Sequence, residues 1–315
     1  MSAPTVTVVI CTYTDERWSE LVEAVRSAAR QDPTPLEVIV VVDGDDTLLE
    51  RVRSQLSGVV AVANAQARGL SGARNTGVGL AKGEVIAFLD DDAMAVAGWL
   101  AGLCVHYADP LVLGVGGTVE PMWLVPRPAW FPAEFHWVVG CSYAGMPETA
   151  APVRNMIGAN MSFRRQVFEG VGSFSSAVGR VGVRPSGCEE TELCIRAGQR
   201  WPSARFVYEP RAVVRHRVPK ARVHWRYFLS RCWSEGRSKA VVAAMVGRSD
   251  GLSAERRHAF RVLPASAASA LVTAVRRRQP ALAGQAAAII GGLATTASGY
   301  AVGTLVRSRS TGDLR

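Results

Sequence analysis

The sequence has few cysteines and lacks the spacings in which cysteine usually binds metal or forms a redox pair. Its 315 residues include six cysteines, and no two of them form a Cys-x-x-Cys pair. A chain of this length is also too long for a small domain held together by disulfide bonds. Residues 1–4 lead straight into a strand-like run, so we expect no signal peptide. These absences favour a reduced, cytosolic location.

Charged residues are also scarce. They make up 20% of the chain against 48% hydrophobic residues, which excludes a disordered or collagen-like protein and allows a large buried core. The balance is slightly apolar for an ordinary soluble enzyme. The length itself predicts about two domains, or one large domain with appendages.

The charge that is present is divided unevenly. Residues 1–204 carry 16 Lys and Arg against 22 Asp and Glu, a net charge of −6, whereas residues 205–315 carry 20 against 5, a net charge of +15. An acidic first part suits a metal ion, and a basic tail beside apolar segments suits an anionic surface. Nucleic acid is the alternative partner for the tail, but no zinc-finger spacing or RNA-binding signature supports it, and we expect no such partner.

Strand-like and helix-like segments alternate through the first 90 residues. Runs rich in β-branched residues predict buried strands, and runs with apolar residues on one helical face predict helices between them. The alternation predicts an α/β fold with a mostly parallel, doubly wound sheet, helices on both faces, and a helical C-terminal tail. The predicted strands are Thr5–Ile10, Leu36–Val42, Val59–Ala63 and Val85–Leu89, and the predicted helices are Asp15–Arg30, Thr47–Leu56 and Ser71–Ala81.

Polar residues follow three of these strands, as Thr12, Asp43 and the run Asp90–Asp92. In parallel sheets ligands bind beyond the carboxyl ends of the strands, which is where these residues lie. Three adjacent carboxylates repel one another, and a divalent cation such as Mg²⁺ or Mn²⁺ would remove that cost. A solvated turn is the alternative interpretation of the acidic run.

Longer motifs surround the aspartates. The chain reads Gly-Leu-Ser-Gly-Ala-Arg-Asn-Thr-Gly over residues 69–77 and Gly-Glu-Val-Ile-Ala-Phe-Leu-Asp-Asp-Asp over residues 83–92. This combination strongly resembles the family-two glycosyltransferases, in which a G-x-x-x-A-R-N-x-G helix precedes a strand that ends in D-D-D or D-x-D. The opening run Val8–Tyr13 and Asp43 also match that family, and the resemblance covers about residues 5–218. It implies the GT-A fold.

The resemblance implies donor-binding roles for three residues. Thr12 and Asp43 would contact the base and ribose of a nucleotide-sugar, and Arg74 would help to hold the donor near its diphosphate. Two alternatives remain open: Thr12 as a turn residue and Arg74 as a surface charge of a helix.

The resemblance also assigns the acidic run. Asp90 would contact the ribose or the sugar, Asp91 would contact the sugar or support the site, and Asp92 would ligate Mn²⁺ or Mg²⁺. His216 follows a strand and resembles the histidine that completes the metal site in some GT-A enzymes, since a neutral imidazole can join carboxylates at Mn²⁺. A lone histidine is more often structural, so both interpretations of His216 stay open.

A second motif supplies the predicted base. Residues 187–196 read Gly-Cys-Glu-Glu-Thr-Glu-Leu-Cys-Ile-Arg and resemble the family's E-D-x-D-L-x-x-R helix. Inverting transfer needs a carboxylate that takes the proton of the acceptor hydroxyl. Glu190, which stands where the family usually has Asp, is the predicted base, and Glu189 is the alternative. Residues 158–165 match a family segment on the acceptor side, which gives Asn160 a predicted acceptor-side role.

The tail contains two uncharged runs, residues 262–275 and 280–306, flanked by arginines. The second run is long enough to span a bilayer, but its Ala, Gly, Ser and Thr residues make insertion marginal. Gly299 and Gly303 form a small-xxx-small face for helix packing. A monotopic hairpin or an interfacial pair of helices is the favoured prediction, with a true span and a soluble dimerisation element as alternatives.

These predictions divide the chain by function. The predicted parts are a nucleotide-sugar-binding half at 1–118, an acceptor-binding half with a lid loop at 119–218, a helical extension at 219–261, and a membrane-association segment at 262–315.

The predicted activity is inverting, metal-dependent transfer of a sugar from a nucleotide-sugar to an acceptor hydroxyl, with a lipid-linked glycan as the candidate acceptor. It would take place at the cytoplasmic face of the membrane, in the synthesis of cell-envelope glycans. A non-catalytic nucleotide-sugar-binding or scaffold protein of the same fold is the alternative. A processive polysaccharide synthase is disfavoured because the Q-x-x-R-W motif is absent. A dehydrogenase is disfavoured because Cys-Thr-Tyr-Thr at residues 11–14 replaces G-x-G-x-x-G.

Overall fold

The computed structural model describes residues 3–180, 187–247, 259 and 262–312, and for residues 307–312 it describes the backbone alone. The chain divides into two compact units. The first, which we call the sheet unit, contains Met1–Glu120, Pro147–Arg184 and Glu189–Arg217. The second, the helical unit, contains Pro121–Met146, Pro185–Cys188 and Val218–Arg315. The four-part division by function stays a prediction.

The described residues form one nine-stranded sheet. Its strands are β1 Val6–Thr12, β2 Glu37–Val42, β3 Val60–Ala63, β4 Val85–Asp90, β5 Ala93–Ala95, β6 Val112–Trp123, β7 Ala151–Val153, β8 Asn160–Arg164 and β9 Arg205–Val218. Their order is β3-β2-β1-β4-β8-β6-β9-β5, and β7 pairs with β9. The pairs β1–β2, β2–β3 and β1–β4 are parallel, and the pairs β4–β8, β6–β8, β5–β9 and β7–β9 are antiparallel.

Helices connect the parallel strands and cover the sheet. The helices are α1 Trp18–Ala29, α2 Asp46–Gln55, α3 Leu70–Leu80, α4 Trp99–Cys104, α5 Arg165–Val171, α6 Glu189–Arg200, α7 Trp225–Val246, α8 Leu263–Arg277 and α9 Pro280–Gly312. The strands and helices predicted for the first 90 residues are confirmed, with shifts of a few residues at their ends. A short 3₁₀ turn, Asp15–Arg17, precedes α1.

Both faces of the parallel strands are buried. Val9, Ile39 and Phe88 lie in one hydrophobic cluster with residues of α3, α5 and α6. Successive side chains of a strand point to opposite faces of the sheet, so Val8, next to Val9, and Val40, next to Ile39, lie on the other face. Val8 and Val40 are buried as well. Helix α1 packs on β1, β2 and β5. The predicted two-sided covering of the sheet is therefore confirmed.

The helical unit is built around close contacts between α7 and α9. A Cβ atom on Gly236 of α7 would lie 2.1 Å from the carbonyl oxygen of Thr296, and a Cβ atom on Gly299 would lie 2.3 Å from that of Trp233. A Cβ atom on Gly303 would lie 2.9 Å from the side chain of Ala240. These glycines let the two backbones approach, so the predicted packing face at Gly299 and Gly303 is confirmed.

Residues 121–146 belong to the helical unit, where aromatic side chains hold them. Trp130 stacks on Trp225 of α7 with 4.1 Å between ring centroids, and Phe131 and Phe135 contact Phe228 of the same helix. Phe131 and Phe135 are fully buried. The aperiodic sequence of this segment thus packs as part of the unit, and its role as a lid stays a prediction.

Helix α9 contains the stretch Pro280–Val306, which is long and apolar enough to cross a membrane by length and composition. Only 22% of the most apolar 18-residue segment of this stretch is buried inside the protein. One side packs on α7, while Ile290 and Leu305 are more than half exposed. Helix α9 is therefore packed on one side, and its other side exposes apolar residues.

Candidate functional site

The polar residues predicted at the strand ends converge at one edge of the sheet. Thr12 is the last residue of β1 and is 2% exposed, so the alternative that it is a turn residue is wrong. The Asp43 amide, just after β2, donates a hydrogen bond of 2.8 Å to the Thr12 carbonyl oxygen. Asp90 ends β4, which pairs with β1 so that Asp90 lies beside Cys11. The carboxyl ends of three parallel strands thus bring Thr12, Asp43 and Asp90 together, as predicted.

Asp43 also fixes the loop that leads into α3. One of its carboxylate oxygens accepts a hydrogen bond of 2.7 Å from Asn64 Nδ2, and the other accepts one of 2.9 Å from the Gly69 amide. Gly69 has φ of +119°, a backbone conformation that only glycine adopts readily. This glycine turns the chain into α3, and Gly77 lets that helix lie against Val9 of β1. The G-x-x-x-A-R-N-x-G motif therefore sets the position of α3.

Arg74 is the central cation of the site. Its side chain is 3% exposed, so the alternative that it is a surface charge is wrong. Arg74 Nη1 donates to Glu189 Oε1 at 2.7 Å, and Nη2 lies 3.4 Å from Asp90 Oδ1 and 3.1 Å from the Gly158 carbonyl oxygen. The guanidinium thereby ties the end of β4 to the first residue of α6.

A candidate metal-ligating set of side chains lies at the acidic run. Strand β5 pairs with β9 so that Ala93 is opposite His216, which brings His216 Nε2 to 3.1 Å from Asp92 Oδ1. Candidate ligand atoms of Asp90, Asp92 and His216 all lie within 4.8 Å of one another. Asp92 and His216 are buried and Asp90 is partly exposed. The pairing predicted for Asp92 and His216 is therefore found, and Asp90 joins them.

The donor atoms fit a divalent cation. Two carboxylates and one imidazole form a mixed oxygen and nitrogen set, which suits Mn²⁺ better than Mg²⁺ because Mg²⁺ prefers oxygen ligands. The interpretation of the acidic run as a solvated turn is disfavoured, because Asp91 and Asp92 are 4% and 6% exposed. The resemblance implied that Asp90 contacts the ribose or the sugar, and only the register of β5 against β9 brings His216 close enough to make Asp90 a third candidate ligand.

Arg17 also contacts the acidic run, a partnership that the sequence did not predict. Its Nη1 atom lies 2.9 Å from Asp91 Oδ1 and 3.0 Å from Asp92 Oδ2. Burial raises the pKa of Asp91 to about 7, a shift that the Arg17 guanidinium opposes and the Asp92 carboxylate reinforces. Arg17 lies in the loop between β1 and α1, where an isolated basic residue gives no signal of its partners.

The two candidate bases differ in their surroundings. Glu189 is 4% exposed, and its Oε1 atom is engaged by Arg74. Glu190 is less buried, at an intermediate level of exposure. Glu192, on the same helix, pairs with Arg196 four residues later and serves the helix rather than the site.

Unpaired buried polar atoms mark the same region. Among the described residues of the sheet unit, the buried side-chain atoms without a hydrogen-bond partner are Thr12 Oγ1, Asp91 Oδ2 and Glu189 Oε2. The Thr12 hydroxyl lies near enough to the Asp91 carboxyl to lower the pKa of Asp91, although Thr12 Oγ1 does not form a hydrogen bond with it. Buried polar groups are rarely left unpaired, so these three point to a polar ligand.

Asn160 does not support its predicted acceptor-side role. The residue is 0% exposed, and its Nδ2 atom donates to the carbonyl oxygens of Thr118 and Ala212 at 2.9 and 2.8 Å. Its Oδ1 atom accepts a hydrogen bond of 2.8 Å from the Trp99 indole. The amide thus holds β8, β6, β9 and α4 together, and both N–H groups are used within the protein.

A cysteine that lies beside this site is Cys11. All six cysteines of the chain are free. Cys11 lies in β1 beside Asp90, and burial raises the pKa of its thiol to about 12. A protonated, buried thiol is a poor nucleophile, so Cys11 is not suited to covalent catalysis.

A mixed sheet with candidate metal ligands at the carboxyl ends of its parallel strands matches the GT-A fold that the sequence motifs imply. The family model described as glycosyl transferase family 2 matches residues 7–172. The chain is also 37% identical, over 75% of its length and 77% of the relative's, to the glucosyl-dolichyl phosphate glucuronosyltransferase of Haloferax volcanii. The chain belongs to glycosyl transferase family 2 and is a glycosyltransferase.

Solved structures agree with this fold. The mannosyltransferase PcManGT from Pyrobaculum calidifontis, in complex with GDP-Man and Mn²⁺, matches with a TM-score of 0.57 and 20% identity over 94% of this chain and 88% of that one. GalNAc-T7 with UDP, GalNAc and Mn²⁺ matches with a TM-score of 0.54 and 18% identity over 74% of this chain and 48% of that one. The predicted GT-A fold is confirmed.

Proposed function

We propose that this glycosyltransferase transfers a sugar, with inversion, from a nucleotide-sugar to a hydroxyl group of a lipid-linked acceptor, and that the transfer depends on a divalent metal ion. The observation that carries the proposal is the cluster of Asp90, Asp92 and His216, which Arg74 links through Asp90 to Glu189. The candidate metal ligands and Glu189 are thereby held in one connected group of side chains, and the proposed base Glu190 follows Glu189 in α6.

Asp90, Asp92 and His216 would hold Mn²⁺ or Mg²⁺, and the donor set favours Mn²⁺. When bound, the ion supplies positive charge for the diphosphate that leaves with the nucleotide. The residues of the chain do the rest: Thr12 and Asp43 would bind the base and ribose, and Asp91 would contact the sugar or support the site.

Arg74 would support the donor through its charge rather than through direct hydrogen bonds. Its guanidinium is already engaged by Glu189, Asp90 and the Gly158 carbonyl oxygen. A cation held in this way adds positive potential near a diphosphate without needing to move. We therefore assign Arg74 to positioning Asp90 and Glu189 and to electrostatic support of the donor.

Glu190 is the proposed general base. As the acceptor oxygen bonds to the anomeric carbon, the hydroxyl proton passes to the Glu190 carboxylate, and the bond to the diphosphate breaks so that the nucleoside diphosphate leaves. Glu189 is less suited to this step, because its Oε1 atom already accepts a hydrogen bond of 2.7 Å from Arg74.

The acceptor class rests on the relative from Haloferax volcanii, whose name describes transfer of glucuronate to glucosyl-dolichyl phosphate. That relative matches over three quarters of both chains. We therefore expect a sugar linked to a polyprenyl-type phosphate as the acceptor, and a uronic acid donor is the first to test.

The test is transfer from a panel of nucleotide-sugars, including UDP-glucuronate, to glucosyl-dolichyl phosphate. We expect one donor to give a product in Mn²⁺ that EDTA abolishes, and the anomeric configuration of the product to be opposite to that of the donor. Retained configuration would contradict inversion. Donor binding with neither transfer nor hydrolysis would favour the alternative of a non-catalytic nucleotide-sugar-binding protein.

We also propose that the helical unit binds the cytoplasmic face of the membrane as a peripheral or monotopic element. Helix α8 exposes Leu271, Val272 and Val275, the last with 80% of its surface accessible. Three arginines, 276–278, follow at the end of the helix. Apolar side chains beside cations suit a surface of anionic lipids.

Vesicle flotation tests this docking. The double variant Val272→Asp/Val275→Asp should lose binding to anionic vesicles at all salt concentrations, because both side chains are exposed and their loss removes apolar insertion. Replacing Arg276, Arg277 and Arg278 with Gln should weaken binding roughly 100-fold at low salt, at about 1 kcal/mol for each arginine, and less at high salt.

The control for flotation is Val105→Asp, which places a charge at another exposed apolar position in the sheet unit. It should bind vesicles like the unsubstituted protein. Recovery of the unsubstituted protein entirely in the soluble fraction, at low salt without detergent, would contradict membrane docking.

A further inference from the structure

Arg17 occupies an unusual position beside the candidate metal ligands. A single nitrogen, Nη1, contacts carboxylate oxygens of both Asp91 and Asp92. Asp92 is also one of the three candidate ligands, and its other oxygen faces His216. One cationic nitrogen thus lies between two buried carboxylates, the arrangement in which a divalent cation would be stable.

The surroundings of Arg17 allow it to move. Its side chain is 23% exposed, whereas those of Asp91 and Asp92 are 5% and 7% exposed. The guanidinium lies 5.0 Å from the ring centroid of Tyr13, which is itself an exposed residue. Arg17 stands at the end of the short 3₁₀ turn Asp15–Arg17, so a change of side-chain conformation does not require α1 to shift.

We propose that Arg17 is an exchangeable counter-ion that competes with the divalent cation for the charge of Asp91 and Asp92 and so sets the metal affinity of the site. Without metal, the guanidinium offsets the repulsion between the buried carboxylates. When a divalent cation binds, the guanidinium and the cation repel each other. The cation therefore binds only as Arg17 withdraws from Asp92. This inference rests on the metal site of the proposed function.

The two charge effects have opposite and measurable signs. Loss of the Arg17 charge leaves Asp91 and Asp92 without this counter-ion, which destabilises the metal-free protein. The same loss removes repulsion against a bound divalent cation at a partly buried site, where charges a few ångströms apart interact strongly. A residue that only oriented Asp92 for the metal would instead weaken metal binding when it is removed.

The experiment is a titration with Mn²⁺ alone, with free Mn²⁺ measured by electron paramagnetic resonance at one pH and ionic strength. Arg17→Gln should bind Mn²⁺ about tenfold more tightly than the unsubstituted protein, since the repulsion it relieves is partly offset by weaker positioning of Asp92. Arg17→Lys keeps the charge and should stay within a few-fold of the unsubstituted protein. Thermal unfolding without metal should begin at a lower temperature in Arg17→Gln, and Mn²⁺ should raise it by more.

The matched control is Arg51→Gln. Arg51 pairs with Asp15 of the same 3₁₀ turn at 2.6 Å, and its side chain is 34% exposed, so the variant loses an equal charge nearby without touching the acidic run. Its Mn²⁺ affinity should be unchanged. If Arg17→Gln fails to fold without metal, Mn²⁺ present throughout purification should restore the folded protein.

Several results would overturn the role of Arg17. Equal or weaker Mn²⁺ binding by Arg17→Gln, or failure of Mn²⁺ to restore its folding, contradicts the exchange while leaving the metal site intact. Absence of Mn²⁺ binding by the unsubstituted protein contradicts the metal site of the proposed function and the exchange together.

Discussion

Asp92→Asn is expected to abolish Mn²⁺-dependent sugar transfer while the fold is retained. Asparagine has nearly the shape of aspartate, but it loses the charge and replaces one of the two acceptor oxygens that face Arg17 and His216 with an N–H donor. A metal ion contributes several kcal/mol to stabilising the charge of a leaving diphosphate. At about 1.4 kcal/mol for each factor of ten, transfer should fall by roughly three orders of magnitude.

Mn²⁺ affinity and the rate of transfer are both measured for Asp92→Asn, with circular dichroism as the check on folding. The matched control is Asp109→Asn, in which the carboxylate pairs with Arg205 at the surface and lies outside the group of candidate ligands. An exposed pair of this kind contributes about 1 kcal/mol at most, so this control should stay active. Transfer by Asp92→Asn that still responds to Mn²⁺ and EDTA as before would contradict the metal assignment.

The convergence of the strand ends could be predicted because it follows from local pattern. Runs such as those of β1 and β2 consist almost wholly of β-branched residues, and helices separate them. Parallel strands end at the same edge of the sheet, so Thr12, Asp43 and Asp90 had to meet there. No long-range contact had to be known in advance.

The antiparallel half of the sheet gave weaker signals. Strand β6 contains Gly114, Gly116 and Gly117, residues that strands usually avoid. The structure explains the last of them, because a Cβ atom on Gly117 would lie 1.8 Å from the carbonyl oxygen of Ala212. Glycine permits this close approach, but its low strand propensity makes β6 difficult to predict from the sequence.

Contacts between distant parts of the chain account for the rest of the site. The partnership of Arg17 with Asp92 spans 75 residues and depends on how one loop folds over the end of β4. Asp90 as a ligand depends on the register of β5 with β9. Asn160 matched a family segment by sequence, but its amide is committed to backbone groups of neighbouring elements.

The surroundings of Glu189 and Glu190 yield the second large prediction, since the two residues should fail in different ways. Glu190→Gln replaces the proposed base with a neutral amide of nearly the same shape. Transfer should fall by roughly 10²- to 10⁴-fold, the usual contribution of general-base catalysis, while donor and Mn²⁺ affinities and thermal stability stay near those of the unsubstituted protein.

Glu189→Gln should instead fail through Arg74. The Arg74–Glu189 pair is buried on both sides, with 3% and 6% of the side chains exposed. Breaking a buried pair costs about 3–5 kcal/mol, and the low end applies here because Arg74 keeps Asp90 and the Gly158 carbonyl oxygen. Lower thermal stability and weaker donor binding should accompany any loss of transfer by this variant.

Rate, donor affinity and melting temperature, measured together on both variants, separate the two roles. The matched control is Glu120→Gln, because Glu120 is half exposed and pairs with Arg215 at the surface. If Glu189→Gln is stable and binds the donor but is inactive, and Glu190→Gln remains active, then Glu189 is the base. Arg74 would in that case hold the base itself in position, because its guanidinium contacts only one of the two Glu189 oxygens and leaves Oε2 without a partner.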